Sequence, residues 1–359
     1  MDIRKPLNQV KNHKKIPSLC FIAPRYEYES FFIIQDVDIL QRFFKVRVCR
    51  FKSAAGFRTA ASMLKQLFQL PLPILRSRAL FIWFADYHAL IPMLLGLIFR
   101  KPVFLVLGGY DTTWLPEYHY GVFTNPLRSR IVCFLYKKAA CVLPVSDYAA
   151  AESKKRGPYS GRVIYNAIAF PEVRLKELTP KKSLILTVGY CNTRRRYLIK
   201  GFDRFIRMAR MNPDYPFMII GMEQTFKDGL PNLPENLTVL APQSHDTLSE
   251  YYEKTSVYCQ FSRFESFGMG VAEACAYGAL PLVSSAGALP EMVNGFPDYI
   301  IEDFDNPEEG RRKIQALYTG NDAMRKQFFR QLKEKYSLEV REKALKDVFI
   351  KYGLLSEEK

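Results

Sequence analysis

No two cysteines in this chain stand at C-x-x-C spacing, and their number, seven, is odd. That pattern excludes a zinc ribbon and a disulfide framework, and reads as reduced, mostly buried thiols of a cytosolic protein. Long apolar runs are missing too. The most hydrophobic region, ALIPMLLGLIFRKPVFLVL (89–107), is broken by Arg100, Lys101 and Pro102. Its longest charge-free run, Tyr87 to Phe99, is short of the roughly 20 residues that cross a bilayer, so no transmembrane helix is expected. The apolar run from Ile16 to Pro24 is short and contains Pro17, which suits a first core strand better than a signal peptide. Acids are scarce in the first half: residues 1–180 hold 27 Lys and Arg against 12 Asp and Glu, a surplus of 15 in a chain whose total is +16. Such asymmetry points to a polyanionic partner, a membrane surface or a nucleic acid.

What the chain does have is core material. Hydrophobic residues make up 48% and aromatics 14% of 359 residues, enough for packed cores and for two domains. Short apolar runs alternate with helical patterns: SLCFIAP (18–24), KVRVCRF (45–51), ALFIWFA (79–85), PVFLVLGG (102–109), ACVLPVS (140–146) and RVIYNAI (162–168). A second set follows a charged stretch: LILTVGY (184–190), FMIIG (217–221), LTVLA (237–241), VYCQFS (257–262) and LPLVSS (280–285). This alternation predicts an α/β protein of two doubly wound, Rossmann-like domains facing across a cleft. The expected boundaries are 1–178 for the first domain, 179–183 for a linker, 184–336 for the second domain and 337–359 for a last helix. Function is expected in the loops at the carboxyl ends of the strands.

One stretch there is unusual. In FESFGMGVAEACAYG (264–278), Glu265 precedes a helix predicted to start near Phe267 or Gly268, and Glu273 lies inside it. A helix N-terminus offers unpaired amides and favours anions. Gly268 and Gly270 are expected to let a ligand approach the backbone. Two acids around such a tip make sense if a diphosphate sits on the amides while each carboxylate accepts hydrogen bonds from hydroxyls. A nucleotide-sugar has that shape. The plain alternative is that both acids merely favour a helix start, by about 0.3–1 kcal/mol each.

These residues resemble the E-x7-E signature of group 1 (family 4) retaining glycosyltransferases of the GT-B fold. SRFESFGMGVAEACAYGALPLVSSAGALPEMVNG (262–295) follows that family's pattern, VGYCNTRRRYLIKGFDRFI (188–206) resembles its glycine–arginine–lysine–glycine segment, and VIYNAI its V-I-x-N-G-I turn. The resemblance implies that Glu273 holds the donor ribose and Glu265 the donor sugar. It implies that the backbone at Phe267, Gly268 and Met269 meets phosphate or sugar. Lys200, with one arginine of the 194–196 run, would neutralise the diphosphate. The family's arginine directly follows the glycine, where this chain has Tyr190, so the choice among Arg194, Arg195 and Arg196 stays open, with Arg196 carried as the candidate. The implied donor is a UDP- or GDP-sugar, the implied acceptor a glycan or lipid-linked saccharide in polysaccharide assembly, and no cofactor or metal is implied.

Asp36-Val37-Asp38 spells a metal-binding D-x-D. Phe31, Phe32, Ile39, Leu40, Phe43 and Phe44 read better as a helix face, with the two acids exposed on it. In the first half, Asp111 stands where relatives often carry H-G-x-D, without the histidine. Asp111 and His88 are the catalytic candidates for orienting or deprotonating the acceptor hydroxyl. The segment 56–78 mixes Leu64, Leu67 and Phe68 with Arg58, Lys65, Arg76 and Arg78, which suits contact with an anionic membrane surface, such as the inner face of the plasma membrane. A nucleotide-sugar epimerase of the same fold and a basic nucleic-acid binder are the competing functions. No nucleic-acid motif is present, so no nucleic-acid partner is expected.

Overall fold

The computed structural model describes residues 16–25, 30–51, 57–171, 184–320 and 322–357. The expected linker, 179–183, lies outside them. In the first half, β1 (Ser18–Pro24), β2 (Lys45–Phe51), β3 (Ala79–Trp83), β4 (Val103–Leu107) and β5 (Cys141–Pro144) form a sheet of order β2-β1-β3-β4-β5. Every pairing is parallel. The three strands β3, β4 and β5 are buried throughout and read as unbroken apolar runs, as strands covered on both faces must. KVRVCRF alternates instead and forms the edge strand β2, with polar side chains turned outward. Helices α1 (Phe31–Gln41), α2 (Phe57–Gln69), α3 (Pro71–Leu75), α4 (Tyr87–Ile98), α5 (Pro126–Lys138) and α6 (Asp147–Lys154) connect these strands or follow them. One face of the sheet packs Ile22, Leu80 and Leu105 against Leu70, Ile74, Met93 and Leu135 from the helices.

The second sheet holds β6 (Leu184–Cys191), β7 (Phe217–Met222), β8 (Leu237–Leu240), β9 (Thr255–Gln260), β10 (Leu280–Ser284) and β11 (Ile300–Ile301) in the order β11-β10-β9-β6-β7-β8. It too is parallel. Around it lie α7 (Arg194–Ile199), α8 (Phe202–Met211), α9 (Gln224–Lys227), α10 (His245–Tyr252), α11 (Met269–Ala276), α12 (Leu289–Met292), α13 (Pro307–Tyr318) and α14 (Asp322–Tyr336). Strand order reverses between β6 and β9, and such a switch point leaves a crevice beyond the strands' carboxyl ends. The loop after β9 carries Glu265, and Lys200 follows α7, the first helix after β6.

The last helix, α15 (Leu338–Lys351), returns to the first sheet. Phe349 meets the rings of Phe44 at 4.9 Å and Phe104 at 5.0 Å, and the Tyr352 hydroxyl donates to the Ala140 carbonyl at 2.5 Å. Its first turn brings Arg341 to Asp36, with Nε–Oδ1 at 2.6 Å and Nη2–Oδ2 at 2.7 Å. The expectation that Asp36 is exposed is therefore wrong: its side chain is fully buried and also accepts from Trp83 Nε1 at 2.8 Å. Only Asp38 is exposed.

RVIYNAI is extended but is not a strand. Arg162 and Ile164 donate their amides to β5 carbonyls, whereas Ile168 donates to Tyr336, so the segment divides its bonds between two neighbours. All seven cysteines are free, and five are buried.

Candidate functional site

The loop after β9 runs into α11 through Gly268, whose φ of +101° supplies the left-handed N-cap. Few side chains tolerate that conformation. A Cβ there would press on Met292 and Leu289, and one at Gly270 would collide with the Tyr258 hydroxyl. The room at Gly270 is thus filled by the protein itself, which corrects the expectation that this glycine admits a ligand. Phe267 is buried with its ring 5.0 Å from Tyr336, and Met269 is half-buried.

On the approach to α11, Glu265 Oε2 accepts from Lys200 Nζ at 2.8 Å. The glutamate side chain is 15% exposed and the lysine 34%, so the pair lies at a surface that is partly closed. Lys200 is placed by α7, which Thr193 caps through a bond from the Arg196 amide, and by the turn at Gly201, whose φ is +69°. Inside α11, Glu273 accepts from the Tyr252 hydroxyl at 2.9 Å and lies 3.4 Å from His245 Nε2. Bonding to Glu273 raises the His245 pKa above its ordinary value, against the lowering effect of partial burial. Glu273, His245, Ser249, Tyr252 and Tyr277 line a cavity of about 100 Å³ with Phe170 and Pro171. Phe31 from the first domain stacks on His245, with centroids 4.1 Å apart.

The three arginines of α7 separate. Arg194 lies over the Tyr197 ring and Arg196 over Tyr190, bonded also to Asn192 Oδ1, while Arg195 reaches the His119 carbonyl at 3.2 Å. Arg195 and Arg196 both act electrostatically on Tyr120, as does Glu265, which puts all three at one end of the cleft. Glu117, Tyr118, His119, Arg194 and Arg195 line a further cavity of about 360 Å³ there.

Across the cleft, Ser266 Oγ donates to the Gly108 carbonyl at 2.8 Å. The loop carrying Gly108 is fixed by Asp111, which accepts from Gly109 N at 2.8 Å and Ala85 N at 2.9 Å. Asp111 is 1% exposed and His88 2%. His88 Nε2 bonds the Trp83 carbonyl at 2.8 Å, and burial pulls its pKa below the ordinary value. Both candidates from the first half are therefore interior groups tied to backbone. Burial pushes the Asp111 pKa up to about 7, despite the amides that favour its ionised form. A carboxyl whose pKa rises on folding holds its proton more tightly in the native state, so native stability falls as pH climbs from about 4 to about 7. Urea unfolding across that window is expected to show a shallower fall in Asp111→Asn than in the wild type. Parallel slopes would refute it.

Some partners were not legible in advance. Glu291, in the PEMVNG stretch, accepts from the α6 amides of Asp147 at 3.2 Å and Tyr148 at 2.7 Å, joining the domains. Asp86 caps α4 and pairs with Arg128, which lies between the rings of Tyr87 and Tyr110. Nothing local announces either contact. Ser146 caps α6 by accepting from the Ala149 amide.

Comparison with known proteins follows the same division. Residues 174–335 match the family described as glycosyl transferases group 1. An uncharacterized glycosyltransferase of Haemophilus influenzae is 32% identical over 123 residues, so the match spans only about a third of this chain and of that relative. Among solved structures, Anabaena HepE in complex with UDP and glucose superposes with a TM-score of 0.70 at 12% identity, over 93% of this chain and 99% of that one. Sucrose-phosphate synthase from Thermosynechococcus elongatus gives 0.70 at 13% identity, with the same coverage. Two parallel sheets, each wound with helices, and these superpositions establish the GT-B architecture for the chain as a whole. The likeness to group 1 glycosyl transferases lies in the second domain, across residues 174–335.

Proposed function

We propose that the protein moves a sugar from a nucleotide-sugar, a UDP- or GDP-sugar, to a hydroxyl of a glycan or lipid-linked saccharide, with retention and without a metal ion. The observation that carries this reading is the pairing of Lys200 with Glu265 at the mouth of α11, with Glu273 held eight residues further on by Tyr252 and His245. UDP bound to a neighbour of the same fold supports a uridine donor.

In this reading the diphosphate takes Lys200 from Glu265, and the freed carboxylate accepts the sugar's hydroxyls. Glu273 accepts the ribose hydroxyls. As the glycosidic bond breaks, charge grows on the diphosphate oxygen. The Lys200 ammonium, a neighbouring arginine and the amides after Gly268 are fixed in advance to stabilise it. The first domain supplies the acceptor side. Asp111 and His88 act there as positioning residues, Asp111 through the amides of Ala85 and Gly109 and His88 through the Trp83 carbonyl. The D-x-D at 36–38 offers no competing metal site, since Asp36 is occupied by Arg341 and Trp83.

A thermal-shift series with UDP-, GDP- and ADP-sugars tests the donor. One nucleotide class is expected to raise the melting temperature, by the equivalent of about 2.7 kcal/mol at a hundredfold excess over Kd. Release of nucleoside diphosphate should then require added acceptor and survive chelation with EDTA. No shift with any donor would end the proposal, and release without acceptor would favour another chemistry.

A further inference from the structure

Parallel βα winding places the carboxyl end of every connecting helix beside the amino ends of the strands, on the side away from the cleft. In the first domain that edge has an unusual surface. On α2, Leu64, Leu67 and Phe68 recur at helical spacing and are exposed, Phe68 to 80%, while Gln66 on the other side is buried, as is Leu70 just beyond the helix. On α3, Leu72 and Leu75 are exposed and Pro73 and Ile74 buried. On α4, Leu94, Leu97 and Ile98 are exposed, Ile98 to 70%, while Met93 and Leu95 face the core. These three helices pack on one another, so their outward stripes form one surface. A helix apolar on both sides suits an environment that is not water on both sides. Scattered apolar side chains on a surface are ordinary, but contiguous ones mark a contact.

The charge around the stripes is one-sided. Lys65, Arg76, Arg78 and Arg100 are exposed on or just beyond these helices, and Lys137 and Lys138 are exposed where the adjacent α5 ends. From 57 to 101 the only acid is Asp86, at the opposite end of α4 and paired with Arg128. No described helix is long and apolar enough to cross a membrane.

We propose that this three-helix edge of the first domain docks on an anionic lipid surface, with Phe68 and Ile98 entering the headgroup–acyl boundary and the basic rim meeting lipid phosphates. Charge complementarity selects the lipid: a second copy of the chain would bring the same positive rim against itself. Apolar insertion and electrostatic attraction add, with each basic side chain near such a surface contributing to binding and each weakened by salt. The docking rests on these exposed groups and not on the transfer reaction, so either proposal can fail alone.

Flotation of the full chain with vesicles tests it. Wild type should float with equimolar phosphatidylglycerol and phosphatidylcholine, stay behind with phosphatidylcholine alone, and release when salt is raised. The pair Phe68→Ser with Ile98→Ser should bind the anionic vesicles about tenfold or more weakly, and the pair Arg76→Glu with Arg100→Glu likewise. Unchanged melting temperatures show that both pairs fold. Equal flotation of variants and wild type, or no flotation of wild type on either vesicle, overturns the proposal. So does sedimentation in which wild type is a dimer and the Phe68–Ile98 pair a monomer, because the surface would then be a protein interface.

Discussion

Replacing Lys200 by alanine lowers turnover by about 10²- to 10³-fold, the range expected when one preorganised partner of the developing charge is removed. The effect falls on the chemical step because the diphosphate gains charge as the bond to the sugar breaks, and Lys200 is the cation placed nearest Glu265 at the helix mouth. Removing the lysine also strips Glu265 of its partner, so a second variant must separate the two roles. Glu265→Gln keeps the shape and frees Lys200 for phosphate. It is expected to hold donor affinity near wild type while turnover falls, because an amide accepts less strongly from the sugar's hydroxyls. Glu273→Ala behaves differently. It weakens donor binding about tenfold to a hundredfold, by loss of hydrogen bonds to a charged acceptor, and acts mainly on KM. Steady-state kinetics with varied donor distinguish these outcomes. Wild-type turnover in Lys200→Ala would remove the electrostatic role assigned here.

That site was legible because its parts are local. The glutamates, the glycine at the turn and the strand before it fall within one short stretch, and α11 begins one residue from where the sequence places it. Buried parallel strands are legible for the same reason, since continuous apolar runs bounded by turn residues can be read without knowing their neighbours. What escaped was long-range. Two-residue β11 is too short to show any period. RVIYNAI has a strand's composition, but its amides divide between β5 and Tyr336, and composition does not say where a partner will lie. Asp36 looked like a solvated acid because the residue that explains it is 305 positions away. Tyr252 and His245 surround Glu273 through the same kind of distant meeting, and nothing in the sequence near Glu273 announces it.

The Asp36–Arg341 pair carries the second large effect. The aspartate side chain is 0% exposed and the arginine 3%, and the guanidinium also donates to the carbonyls of Ile164, at 3.0 Å, and Tyr165, at 2.5 Å. One planar fork thus joins α1, the 164–165 segment and α15, which no ammonium could reproduce. Arg341→Ala leaves a buried carboxylate facing only the Trp83 N–H and two carbonyls without donors. Breaking such a pair costs about 3–5 kcal/mol. The loss should appear as an earlier first transition in denaturant, reported by Trp83 fluorescence, because the helix released packs on the first sheet. Arg341→Lys should recover only part of it. The double variant Asp36→Leu with Arg341→Met removes both charges together and should be more stable than Arg341→Ala, since the buried charge and not the missing contact dominates the cost. If Arg341→Ala unfolds at the wild-type denaturant concentration, then α15 does not depend on this pair to hold the first domain, and the Phe349 and Tyr352 contacts alone must suffice.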